Sequence, residues 1–398
     1  MRILMFSWEY PPHVVGGLGK HVVELLPPLG DLPGVELHLV TPAWGGGEPL
    51  ERVGRVTIHR VQPPILGDDF FASAKETNLH LEEYAHQLWE DAGPFDLVHV
   101  HDWLVAFVGA SAKRKYKVPL LSTIHATERG RGRGHLASDQ SRSIDQAEWR
   151  LTHESWRIIA CSEYMTSEIS DYFQCPRDKI DVIPNGVETT RFDLLEGQDF
   201  SRFRTEYAML FEEIIFYVGR VVHEKGLQVL LRALPIVLAE QPSAKVVVAG
   251  KGPELEPLQA LAQRMGLEEK VLFTGFISDE DRDRLFKVAD CAVFPSLYEP
   301  FGIVALEAMA AKCPVVVTAV GGLQEVVQHG ETGIMARPDD PGSLAWGVLH
   351  TLQHPKWSAA RVENAYRMVR DEFNWEHIAC LTRSVYREVI AERTITDW

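Results

Sequence analysis

Cysteine is scarce. The 398 residues hold five, Cys161, Cys175, Cys291, Cys313 and Cys380, with no Cys-x-x-Cys pair and no zinc-type spacing. That excludes a disulfide-built scaffold and a structural zinc module, and points to reduced, mostly buried thiols in a cytoplasmic protein. No apolar run approaches the roughly 18 residues of a membrane span. Met1 to Phe6 looks like the start of a signal peptide, but Trp8-Glu9-Tyr10-Pro11-Pro12 follows without a small-residue cleavage site. A buried first strand is expected instead. Positive charge is also short: 40 Lys and Arg against 56 Asp and Glu, a net charge of −16. This argues against a nucleic-acid partner, whose footprint is basic. An anionic small ligand would need a local cluster of Arg, Lys and helix ends. Histidine is plentiful at 16. His99 and His101 share one face of a strand-like run, yet no carboxylate or third histidine stands at ligand spacing, so no metal is expected.

What is present is the composition of a globular chain, 45% hydrophobic and 24% charged, long enough for two domains. Apolar runs near Arg2–Ser7, Leu37–Val40, Arg55–Arg60, Leu97–Val100, Leu120–Thr123, Arg157–Cys161 and Ile180–Ile183 read as buried parallel strands. Helical patterns lie between them, near Ala74–Glu90, Trp103–Lys115, Glu148–Trp156 and Glu163–Phe173. After Pro184-Asn185-Gly186-Val187 a polar run to about Asp199 reads as a linker. The alternation restarts with strands at Ile214–Val218, Val246–Ala249, Val271–Phe273, Ala292–Phe294 and Val315–Thr318. A last helix covers Trp375–Arg393. The predicted fold class is α/β, with doubly wound domains at residues 1–185 and 186–374.

Ligands of such sheets bind at the carboxyl ends of strands, and the candidate residues fall there. Behind the first strand, Ser7 to Lys20 carries Gly16-Gly17, where backbone can approach an anion. The glycine fingerprint is incomplete: Val22 holds the third position, and the second strand ends in Thr41 rather than an acid. It is not a P-loop either, and the missing glycine and acid weaken a dinucleotide reading. Asp102 and His125 follow two later strands; Asp102 could simply cap the helix at Trp103. Residues 128–139, basic and glycine-rich, read as a mobile solvated loop, or as an acceptor loop that orders on binding. In the second half, Arg220 and Lys225 sit in a strand-to-helix turn and suit a diphosphate clamp. Finally, Ser296-Leu297-Tyr298-Glu299-Pro300-Phe301-Gly302 leads from a strand into a helix carrying Glu307. The free N–H groups of residues 301–304 make a site for phosphate or hydroxyls.

Glu299 and Glu307 in this setting resemble the Glu-x7-Glu signature of retaining glycosyltransferases with the GT-B fold, the family that includes glycogen and starch synthases. Arg220 and Lys225 match its phosphate pair. Gly16-Gly17 is similar to its entrance loop, although Val14 stands where bacterial members carry lysine. The resemblance implies two Rossmann-like domains facing across a cleft, with the C-terminal helix crossing back onto the first. It implies transfer of a hexose, most simply glucose, from an ADP- or UDP-sugar to a carbohydrate acceptor, with retention and without a metal or other cofactor. Arg220, Lys225, Gly16, Gly17, Gly302, Ile303 and Val304 would hold the diphosphate. Glu299, Phe301, Gly302 and His125 would hold the donor sugar, Glu307 the ribose, and Glu9 and Asp102 the acceptor. Gly250-Lys251-Gly252-Pro253 and Thr274-Gly275-Phe276-Ile277 resemble the loops that hold the base. No nucleophile and acid pair of the glycosidase kind is evident; Asp102 is the nearest candidate for a base. Competing readings are a nucleotide-sugar epimerase of the same architecture, a nicotinamide-dependent dehydrogenase and a silent binding protein.

Overall fold

The structure, a computed structural model, describes residues 1–65 and 67–396. The apolar runs form two sheets. In the first, β1 (Arg2–Phe6), β2 (Glu36–Pro42), β3 (Leu50–Val53), β4 (Val56–Val61), β5 (Leu97–His101), β6 (Leu120–Ile124), β7 (Arg157–Ala160) and β8 (Ile180–Val182) stand in the order β3-β4-β2-β1-β5-β6-β7-β8. All its pairings are parallel except β3 with β4. The second holds β9 (Glu213–Val218), β10 (Ala244–Ala249), β11 (Val271–Gly275), β12 (Cys291–Phe294), β13 (Val315–Thr318) and β14 (Ile334–Ala336), in the order β11-β10-β9-β12-β13-β14. Its pairings are all parallel. In both, the winding reverses beside the first strand, between β1 and β5 and between β9 and β12. Loops leaving the carboxyl ends of those strands diverge and open a crevice.

The chain divides into two compact units, residues 1–186 with the C-terminal segment from Trp375, and Val187–Asn374. The helix Trp375–Thr394 belongs to the first unit for a physical reason. Its Trp375, Ile378, Tyr386 and Val389 are buried with Ile3, Met5, Val22 and Leu25. Each such side chain contributes roughly 1.5–3 kcal/mol on leaving water. Two polar contacts fix its register: Trp375 Nε1 donates to Glu24 Oε2 at 2.7 Å, and Tyr386 Oη lies 2.8 Å from His99 Nδ1.

The structure departs from the sequence expectations at several places. The hairpin strand β3 and the edge strand β14 were not expected. Residues 103–115 split into a tight turn at Trp103–Val105 and a helix at Ala106–Tyr116. The helix expected from Glu148 starts at Asp139, capped by Ser138. The segment expected as a loop, residues 128–139, is ordered at its start, while residues 132–135 and 137–139 are exposed. Thr127 Oγ1 accepts from Gly130 N at 2.9 Å, the helical turn Glu128–Arg131 follows, and Arg129 grips Asp145 through Nε at 3.0 Å and Nη2 at 2.5 Å. A charge-assisted two-point bond of this kind orders a segment whose composition alone suggests freedom.

Candidate active site

In the second unit, β12 ends at Phe294 and the loop to Gly302 leads into the helix Ile303–Ala310. Gly302 has φ 108°, and a Cβ there would lie 2.5 Å from Leu323 Cδ2, so only glycine turns the chain here. Among the described residues no side chain caps this helix. The amides of Ile303 and Val304 therefore keep the partial positive charge of a helix start. Glu299 is pinned in the same loop. Its Oε2 accepts from Lys225 Nζ at 2.6 Å and from Ser296 Oγ at 3.1 Å, and its carbonyl accepts from Gly322 N at 2.9 Å.

Lys225 reaches Glu299 because two turns are stitched together. Gly226, at φ 71°, passes so close to Pro295 that a Cβ would lie 1.8 Å from its carbonyl oxygen. Leu297 N donates to Glu224 O at 2.8 Å. Arg220, in the same turn after β9, is about half exposed and lies 3.5 Å from Glu224; Tyr217 Oη donates to its carbonyl at 2.9 Å. The Gly250–Gly252 loop braces this turn. Val221 N donates to Lys251 O at 2.9 Å, and a Cβ on Gly252 would lie 2.1 Å from Val221 O. Phe301 is buried beside Phe373, with ring centroids 6.2 Å apart, so the loop offers its backbone rather than its ring.

Glu307 is 1% exposed. Arg191 Nη2 donates to its Oε1 at 2.5 Å, and Arg282 Nη2 lies 3.5 Å from the same oxygen. Asp283 joins the group, 3.3 Å from Arg191 Nε and 2.9 Å from Arg282 Nη2. Two cations and two carboxylates thus form one buried network, to which a residue expected only at the ribose belongs.

In the first unit the glycine loop is already engaged. Glu9 Oε2 accepts from Val15 N at 2.8 Å and from Gly16 N at 3.1 Å. A Cβ on Gly19 would lie 2.6 Å from that oxygen, so Gly19 makes room for Glu9. Glu9 was expected at the acceptor and Gly16 at the diphosphate; here one binds the other. Gly17 opens the helix Gly17–Asp31.

Asp102 does not cap a helix. The turn at Trp103 receives no side-chain hydrogen bond from it. Its Oδ1 instead accepts from His125 N at 2.7 Å, and its backbone sits at φ 58°, rare outside glycine. Burial pushes its carboxyl up to about 6, against the pull of Arg131 and the amides of His125 and Ala126. His125 is half-buried and shares a 3.1 Å hydrogen bond from its Nε2 to His101 Nδ1. His21 stands edge-on to His125 at 4.7 Å and gives its Nδ1 proton to Asn185 Oδ1 at 2.6 Å. Burial, then the charge of Arg131, lowers His125 to about 3; burial, then His125, lowers His21 to about 3. Burial holds His99 and His101 well below their ordinary range.

These neutral histidines carry a pH signature. In the unfolded chain each takes a proton near 6.5 and in the fold it resists to far lower pH, so the unfolded state binds more protons between. Stability is then full above about 6.5 and falls on acidification, at about 1.4 kcal/mol per pH unit per histidine. Asp102 and Glu148, both raised by burial, act in the opposite sense but are outnumbered by the four histidines. The first unit is expected to melt at markedly lower temperature at pH 5.5 than at pH 7.5 in calorimetry. A melting temperature that holds or rises over that range would contradict the neutral cluster.

Sequence reasoning missed His21, Asn185, Arg191, Arg282 and Ser296. Ser296 alone had a nearby signal, three residues before Glu299. The others reach their partners only through the fold.

Comparison with known proteins bears on this geometry. Residues 15–191 match the family description "Glycosyltransferase Family 4", and residues 207–368 match "Glycosyl transferases group 1". A glycosyltransferase of Methanocaldococcus jannaschii, itself uncharacterized, is 39% identical over 97% of this chain and 98% of its own length. A glycogen synthase of Mycobacterium tuberculosis is 35% identical over 97% of this chain and 94% of its own. Among solved structures, a sucrose-phosphate synthase from Thermosynechococcus elongatus superposes with a TM-score of 0.81 at 24% identity, covering 98% of this chain and 99% of that one.

Proposed function

Because the chain belongs to the family 4, glycogen synthase-like glycosyltransferases of the GT-B fold, we propose that it moves a glucosyl residue from ADP- or UDP-glucose to a hydroxyl of an α-glucan or a sugar phosphate, with retention of configuration. The observation that carries this reading is the junction of Lys225, Glu299 and the uncapped helix start at Ile303, at the switch point of the second sheet. The name of the mycobacterial relative, glycogen synthase, supports glucose and a glucan.

As the donor bond breaks, positive charge grows on the anomeric carbon and negative charge on the diphosphate. Lys225, Arg220 and the amides of Ile303 and Val304 oppose the latter from fixed positions, so little reorganisation remains for the reaction itself. Glu299, held by Lys225 and Ser296, takes the sugar hydroxyls. Lys225 thus serves both charges, with Glu299 on one side and phosphate on the other. Glu307 takes the ribose hydroxyls while its other contacts keep it in place. In the first unit His125 is a neutral imidazole at working pH and so binds a sugar hydroxyl without charge. Asp102 positions His125 through its backbone amide, and Glu9 shapes the glycine loop toward the acceptor. No metal is needed for these steps.

The test is direct. Incubation with ADP-, UDP- and GDP-glucose, with and without maltooligosaccharide or glucose 1-phosphate, should release nucleoside diphosphate only when an acceptor is present. Release of a free epimer, or no turnover with any pair, would overturn the proposal.

A further inference from the structure

Three imidazoles from three separate elements meet inside the first unit. His21 comes from the helix Gly17–Asp31, His101 closes β5, and His125 follows β6. One ring nitrogen from each lies within 4.8 Å of the other two. His21 and His101 are 4% and 0% exposed, and the Nε2 of each has no hydrogen-bond partner among the described residues. Leaving a buried polar atom unpaired costs roughly 1–3 kcal/mol, so the unpaired Nε2 of His21 requires a reason.

The tautomer of His21 supplies one. Its Nδ1 proton is committed to Asn185 Oδ1 at 2.6 Å, which leaves Nε2 with a bare lone pair. A ring N–H anchored on an amide oxygen is how metal-binding histidines are oriented. His101 Nδ1 and His125 Nε2 stand 3.1 Å apart. Two nitrogens on one tetrahedral zinc ion would be about 3.3 Å apart, given bond lengths of roughly 2.0–2.1 Å. The nitrogens stand within 4.8 Å of one another, so the third must close in by up to about 1.5 Å to reach that spacing. Neutral imidazoles suit zinc and its neighbours; magnesium and calcium require oxygen ligands. Asp102, bound to the His125 amide, places a carboxyl beside the set.

We propose that His21, His101 and His125 form a three-histidine site for Zn2+ or a similar late transition-metal dication, and that filling it withdraws His125 from the donor sugar. The second half rests on the transferase reading of His125; the first half does not. The ion is thus an inhibitor of the reaction, not a participant in it.

Binding is read first, without any substrate. Untagged full-length protein, dialysed against Zn2+ and analysed for metal, should retain one ion per chain. His21→Asn should weaken binding at least tenfold. Asn185→Ala, which frees the His21 ring, should weaken it by roughly 10- to 100-fold. Co2+ added to the unaltered protein should give the intense visible absorption of a tetrahedral site, a readout that survives if either variant fails to fold. A weak octahedral spectrum, sub-stoichiometric retention, or equal Zn2+ affinity in both folded variants would overturn the site. Inhibition comes second: Zn2+ should suppress transfer at concentrations that fill the site, each variant being compared with its own metal-free rate. Stoichiometric binding without inhibition would leave the site standing and remove His125 from the sugar.

Discussion

Glu299→Gln should reduce kcat by about a hundred- to a thousandfold while leaving the thermal unfolding of the protein within a few degrees of the original. Glutamine keeps the shape of the side chain and its contact with Ser296, so the loop from β12 should hold. What goes is the carboxylate charge that Lys225 meets at 2.6 Å. Losing one preorganised charged partner of a transition state typically costs about 2.7–4 kcal/mol in the barrier. A half-exposed ion pair, by contrast, contributes no more than about 1 kcal/mol to stability, and this pair is only moderately better sheltered. The two magnitudes separate the readings. Turnover close to the original would remove Glu299 from the sugar, and a collapse of the melting temperature would make it a structural residue.

Glu307→Ala should instead unfold the second unit early. Its carboxylate lies in the interior between Arg191 and Arg282, with Asp283 beside both cations. Removing it takes the most buried carboxylate away from both guanidinium groups. Deleting one partner of a buried ion pair costs about 3–5 kcal/mol, because the remaining charge keeps its desolvation penalty. At about 2–4 °C per kcal/mol for a unit of this size, the melting temperature should drop by roughly 10 °C. Glu307→Gln, which retains an acceptor oxygen, should lose less. A residue that served the ribose alone would raise the donor KM and leave the melting temperature unmoved, and that result would refute the structural role.

Much of the fold was legible because buried parallel strands read as unbroken apolar runs. β1, β5, β6, β9, β12 and β13 carry that signal. β3 does not: Leu50-Glu51-Arg52-Val53 lies at a sheet edge, partly exposed, so nothing apolar marks it. The grouping of Lys225, Glu299 and Gly302 was legible too, since these residues and Arg220 stand close to strand ends in the sequence itself. The segment after Thr127 misled because glycine and arginine suggest a free loop, while the carboxylates that bind it, Asp145 and Glu148, lie on the following helix. Asp102 misled for a similar reason: an acid before a helix usually caps it, but here His125 competes for the oxygen.

Taken by itself, the amino-acid order determined which buried stretches become strands of the sheet interiors, where glycine must turn the chain, and which charges stand beside a strand end. Each of these depends on neighbours within a few residues. Only the tertiary structure decided that His21 would meet Asn185, 164 residues away, that Arg191 would meet Glu307 across 116, and that Glu9 would sit on the Gly16 amide expected to receive phosphate. Periodicity carries information about which face is buried but none about which distant side chain shares the same few ångströms. That choice is made by packing, when burial penalises polar atoms left inside without a partner.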